Sequence, residues 1–242
     1  GLAAVAANIL LVRRVRRIEG KARIFDFAIL KKILIVSIPS VCQQSFVSVG
    51  NLLLQGVINQ FGSDVVAGYS AAFKVSVLAV SSFTTMSNAL SSYTGQNLGA
   101  GKTDRIKKGF ADMVLVNACL AAVFITLYAA AGQYILRIFV SGDESAAVIQ
   151  TGRVFLWYVC TGYPFVMLKV LMDGVLRGAG DMTAFMITTF LDLIIRVGLS
   201  FALAPSMGFA GICLSYPIGW VIGAAASAVL YKKGKWKKKL KV

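Results

Sequence analysis

Polar and apolar positions alternate along this chain in long blocks rather than residue by residue. Apolar runs near 33–59, 65–93, 109–131, 152–176, 182–204 and 209–231 are each long enough for a bilayer, which takes about 20 mainly apolar residues per helix. No strand-like alternation accompanies them, so the pattern predicts an all-α, polytopic helical membrane bundle. Residues 1–12, GLAAVAANILLV, are apolar but too short to cross alone and read as the end of a preceding membrane helix. The expected organisation is that helix end at 1–12, a basic linker at 13–32, six complete transmembrane helices over 33–231 and a basic tail at 232–242.

The first run carries a polar track. Ser37, Ser40, Gln44, Ser48, Asn51, Gln55 and Asn59 follow one another at steps of three or four, which keeps them on one helical face. Lipid cannot satisfy amides. The track therefore faces a polar path through the bundle, or it holds neighbouring helices together. Lys74, Ser81, Thr85, Asn88 and Ser92 make a similar track on the second run. Lys74 stands ~15 Å into that run at the helical rise, where an ammonium needs water or a carboxylate. The candidate partners are Asp192 and Asp173, or an acid outside this chain. Lys169 with Asp173, and Asp192 with Arg196, are each four residues apart. Each pair could neutralise itself along its helix or serve the path. The last run holds a ladder of small residues, Gly219, Gly223 and Ser227, suited to close helix contact.

The mean hydropathy of +0.76 agrees with a membrane class. A net charge of +15 could suggest nucleic acid, but its placement argues against that partner. Most Lys and Arg lie in alternate connections: Arg13–Lys32, Lys102–Lys108, Arg177 and Lys232–Lys241. That is the positive-inside arrangement and predicts a cytoplasmic linker and tail. Within the linker, Ile18, Ile24, Phe25, Phe27 and Leu30 could lie on the membrane surface, while Gly142–Ser145 would make an outer turn. The four cysteines, Cys42, Cys119, Cys160 and Cys213, fall inside runs without metal spacing and read as small packing residues. Histidine is absent. Gly95–Thr103 resembles a phosphate loop only until Gln96 is found where the first glycine should stand; its glycines instead predict a helix end and tight turn. Together these features predict no enzyme, no metal site and no cofactor.

Three strings then become specific: Ala71-Ala-Phe-Lys74, Gly95-Gln-Asn-Leu-Gly-Ala-Gly-Lys102 and Leu176-Arg-Gly-Ala-Gly-Asp181. With Pro217-Ile-Gly-Trp220 and Lys233-Gly-Lys-Trp-Lys237, they resemble the second half of multidrug and toxic compound extrusion (MATE) transporters. The resemblance implies the C-terminal six-helix lobe of a twelve-helix secondary transporter in a bacterial inner membrane. Its partner would be the N-terminal lobe of the same protein. Such a transporter exports cationic amphipathic compounds in exchange for sodium ions or protons by alternating access. A lipid-linked saccharide flippase, which would use Lys74 and Arg196, and a lobe inactive by itself are the alternatives. The residues expected on the substrate and ion pathway are Gln44, Ser48, Asn51, Gln55, Lys74, Thr85, Asn88, Lys169, Asp173, Asp192 and Arg196. Some sodium-coupled members carry acids deep in the first and fourth spans of this lobe. Here the first span has amides only, which leaves the other lobe as the alternative place for ion coupling.

Overall fold

A computed structural model describes residues 5–6, 8–10, 12–13, 26–140, 146–234 and 236. Most of the basic linker, the outer turn at 142–145 and the tail beyond Trp236 lie outside the described residues. Two compact units are distinguished, residues 1–38 and 39–242. In the first, the described residues of 1–12 are helical, and Phe27 begins a helix that continues into the second unit.

The helices are α1 (Phe27–Ile58), α2 (Ser63–Gly99), α3 (Thr103–Phe139), α4 (Ala146–Gly178), α5 (Met182–Met207) and α6 (Phe209–Lys233), with a short 3-10 turn, Asn59–Phe61, after α1. Among the described residues there is no strand. Six segments are long and apolar enough to cross a membrane, and the expected runs fall inside them. Pro39 sits within α1 at the border of the two units; lacking an amide hydrogen, it removes one bond from the helical ladder.

The helices outrun the apolar runs because their ends are closed by backbone chemistry rather than by polarity. At the end of α2, Lys102 N donates to Asn97 O at 2.8 Å and Gly101 N to Leu98 O at 3.0 Å, with Gly101 at φ +70°. After α4, Asp181 N donates to Leu176 O at 2.8 Å and Gly180 N to Arg177 O at 3.0 Å, with Gly180 at φ +74°. Both Gly-Ala-Gly strings therefore make the same left-handed helix stop, as the glycines near 95–103 predicted.

α4 is the centre of the second unit. It packs on α2, α3, α5 and α6, and residues 171–176 are buried on every side. Its approach to α2 depends on Gly174, where a Cβ would meet Ser87 O at 2.7 Å. One apolar core joins Phe83, Phe155, Tyr163, Tyr216 and Trp220. A second gathers Leu90, Leu98, Ile106, Leu176 and Trp236 near the Gly-Ala-Gly corners. Outside these cores, large apolar side chains such as Leu115, Ile138, Trp157 and Ile194 are exposed, as a face toward lipid requires. Cys160 and Cys213 pack in the core as expected, but Cys42 and Cys119 are exposed; all four are free thiols. A thiol on an outward helix face meets hydrocarbon, so it needs no place in the core.

Candidate functional site

A cavity of about 360 Å³ lies among α1, α2, α4, α5 and α6 within the second unit. Its charged wall comes from α4 and α5. Lys169, Asp173, Asp192 and Arg196 are 5%, 4%, 8% and 8% exposed, and all four line the cavity.

Asp173 is fully engaged. Lys169 Nζ donates to its Oδ2 at 2.8 Å, while Thr188 Oγ1 of α5 and Ser227 Oγ of α6 donate to its Oδ1 at 2.9 and 2.7 Å. Three donors offset much of the desolvation of a buried carboxylate. The small-residue ladder on α6 fits around this group. A Cβ at Gly223 would meet Lys169 Cε at 2.8 Å and Asp192 Cβ at 3.1 Å. Small residues are needed there to admit charged side chains rather than only to bring backbones together.

Asp192 and Arg196 behave differently. The four-residue spacing allowed them to pair, yet among the described residues no ion pair joins them. The Arg196 guanidinium instead lies over the Tyr216 ring, 5.1 Å from its centroid, a favourable cation–π placement. The ring is fixed by a 2.9 Å hydrogen bond between the Tyr216 and Tyr69 hydroxyls. Asp192 Oδ1 and Arg196 Nε are both buried without a hydrogen-bond partner among the described residues.

The other predicted positions divide. Gln44 and Asn51 line the cavity, with Asn51 Oδ1 buried and unpartnered among the described residues. Ser48 and Gln55 do not line it: Ser48 donates to Gln44 O at 3.1 Å, and Gln55 donates to Asn59 Oδ1 at 2.9 Å. On α2 the lining face runs through Phe73, Val77, Val80, Ser81, Thr84 and Ser87. The predicted track lies about one position around the helix from it. Thr85 is exposed and donates to Ser81 O at 2.8 Å, and exposed Asn88 accepts from Arg177 Nη2. Lys74 is exposed, lies outside the cavity, and forms no ion pair among the described residues. It does not join Asp173, whose oxygens are already held by Lys169, Thr188 and Ser227. The structure thus does not bring Lys74 and Arg196 together. A second cavity of about 460 Å³, between α3 and α4, has Arg153 as its charged lining residue and holds none of the predicted positions.

Residues 39–202 match the MatE family. The chain belongs to that family. A curated relative, the probable multidrug resistance protein YpnP of Bacillus subtilis (strain 168), is 23% identical over 206 residues, which are 85% of this chain and 46% of YpnP. A crystal structure of MATE in complex with MaL6 superposes with a TM-score of 0.82 at 18% identity, covering 88% of this chain and 49% of that one. An outward-facing multidrug resistance MATE family transporter of the MOP superfamily gives 0.81 at 19% identity, covering 90% and 50%. The chain therefore spans about half the length of the relatives it matches, and its fold is that of half a MATE structure. Family membership and the six apolar helices make it a multi-pass membrane protein.

The cavity of this MatE chain also has walls that sequence reasoning missed. Gln43, Arg177, Thr189, Tyr216 and Trp220 line it, and Thr188 holds Asp173. Arg177 was visible as a charge beside the Gly-Ala-Gly string, but it read as a topology signal rather than as cavity wall.

Proposed function

We propose that this chain is the C-terminal lobe of a secondary active exporter of cationic amphipathic compounds. The transporter works by alternating access, in antiport with sodium ions or protons, in a bacterial inner membrane. The observation that carries this reading is Asp192. It is an 8% exposed carboxylate on a cavity wall, with an unpartnered oxygen and no ion pair among the described residues. Such a group is a strong attractor for a visiting cation. Asp173 does not compete for it, because Lys169 already neutralises that group. Phe73, Val77, Val80 and Trp220 supply the apolar wall that an amphipathic molecule needs. The family match and the multidrug naming of YpnP support the same direction. The placement of Lys and Arg supports a linker and tail on the cytoplasmic side.

The test is uptake of a fluorescent organic cation into inverted vesicles containing the transporter at its native length. Asp192→Asn is expected to lower the initial rate ~10-fold or more at equal membrane abundance, the scale of a lost charge-assisted contact. Unchanged uptake by that variant would sink the assignment. A sodium gradient and a pH gradient, applied separately, identify the coupling ion.

A further inference from the structure

The cavity of about 460 Å³ between α3 and α4 takes no part in the site described above. Two of its lining residues, Arg153 and Trp157, are exposed, the indole by 68%. Leu115, Leu127 and Ile138 of α3 are exposed as well, so the cavity opens on a face that meets hydrocarbon. Its wall is graded along α4. Gln150 and Arg153 stand toward the Ala146 end, while Val154, Leu156 and Trp157 lie deeper, with Ile125 and Ala129 on the α3 side. The Tyr128 hydroxyl in this deeper part is already committed, donating to Val75 O at 2.7 Å.

The level of Arg153 in the membrane follows from the helix itself. Arg153 and Arg177 bracket a stretch of α4 whose charges, Lys169 and Asp173, neutralise each other. The two arginines are ~36 Å apart at the helical rise, against ~30 Å for the hydrocarbon core. Each therefore stands at a hydrocarbon boundary, where a long cationic side chain reaches the headgroups. On α3 the register is set by glycines. A Cβ at Gly152 would meet Leu136 Cδ1 at 2.9 Å, and one at Gly132 would meet Leu156 Cδ1 at 3.7 Å. Exposed Arg137 thus lies within about a turn of the Arg153 level, yet it does not line the cavity. Neither arginine forms an ion pair among the described residues.

We propose that this groove binds an anionic glycerophospholipid from the leaflet at the Ala146 end of α4. The phosphate lies on Arg153 and Gln150, and an acyl chain lies along Trp157, Ile125 and Ala129. Arg153 is the charged residue of the lining, and no carboxylate lines the groove. A net negative headgroup is therefore matched, whereas the ammonium of a zwitterionic headgroup meets no acid there. A soluble phosphate would satisfy Arg153 but leave the apolar part of the groove uncovered. The site is separate from the transport reading and does not depend on it.

The test uses the full-length transporter in phosphatidylcholine vesicles that contain increasing fractions of brominated phosphatidylglycerol or brominated phosphatidylcholine. Bromine quenches a nearby indole, and the Trp157 signal is the difference between the wild type and Trp157→Phe. Half-maximal quenching of Trp157 is expected at a ~5-fold lower fraction of the anionic lipid, the factor that one basic residue gives near an anionic headgroup. Arg153→Gln should bring the two lipids level, Arg153→Lys should keep most of the preference, and Arg137→Gln should leave it intact. Equal quenching by the two lipids without any change at Arg153 overturns the proposal, even if Arg153→Gln fails to accumulate. A preference that survives Arg153→Gln overturns it too, as does one that Arg137→Gln abolishes equally, which marks general surface charge. Glycerol phosphate added to the vesicles should not relieve the quenching; relief would mark a soluble-anion site and overturn the lipid assignment.

Discussion

Asp173 accepts from Lys169 of its own helix, Thr188 of α5 and Ser227 of α6, so one carboxylate ties three helices together. Removing one partner of a buried ion pair costs ~3–5 kcal/mol, whereas replacing both by apolar groups can be neutral. Lys169→Met should therefore lower thermal stability in detergent more than the Lys169→Met/Asp173→Leu double variant does. A double variant no better than the single would show that the pair is not energetically coupled. Ser227→Ala, which removes one of the three donors, should cost ~1–3 kcal/mol in the same assay. The charges in this group were legible in the sequence because they interrupt apolar runs. The hydroxyls were not: serine and threonine in membrane helices commonly bond to their own backbone, as Thr84 and Thr85 do here. Nothing in the residue type marks Ser227 as an exception, or Thr188 as a hydroxyl that reaches Asp173 as well as Phe185 O of its own helix, each at 2.9 Å.

At the scale of elements, α4 reads as an ordinary apolar run but is wrapped by four neighbours, and its glycines set how near they come. Gly174 faces Ser87 so closely that Gly174→Ala must move backbone against backbone, an overpacking that costs ~1–3 kcal/mol. A Cβ at Gly56 of α1 would meet nothing within 4 Å, so Gly56→Ala should be neutral or stabilise by up to ~1 kcal/mol through helix propensity. Membrane abundance and melting temperature of the two variants check the contrast; equal losses would argue against the α2–α4 crossing. The same geometry explains where the reading of tracks slipped. On α2 the predicted and observed polar faces are neighbours around the helix, separated by ~100°. Periodicity places residues on a face but does not say which of two adjacent polar faces turns inward. Lys74, Thr85 and Asn88 fell on the outer of the two for that reason, and Ser81, shared by both, on the boundary.

For the whole molecule, the number and order of spans were legible because each must supply enough apolar length for the bilayer, a requirement that leaves little choice of register. The cavity was legible only in outline, since it depends on how helices far apart in the chain converge. Its accessibility is testable in a background lacking Cys42, Cys119, Cys160 and Cys213. Cysteines at Asn51 and Thr84, which line the cavity, should react with aqueous thiol reagents faster than one at Leu53, which is 48% exposed on α1 outside the cavity lining. Equal rates at all three would remove the cavity as a wet path. Fusion reporters after Lys102–Lys108 and at the end of the chain should both report the cytoplasm, and an external signal from either would overturn the topology.

Trp236 carries a practical consequence for handling this protein. Its ring is 1% exposed, stacks on Tyr231 at 5.5 Å, and donates Nε1–H to Tyr231 O at 2.9 Å, while Tyr231 in turn stacks on Phe110 of α3 at 4.9 Å. Trp236 is thus held against the bundle, although in sequence it looks like one more residue of a disposable lysine-rich tail. Affinity handles and fluorescent partners belong after Trp236. A gene shortened to end at Gly234 would be expected to give poor yields for reasons unrelated to transport.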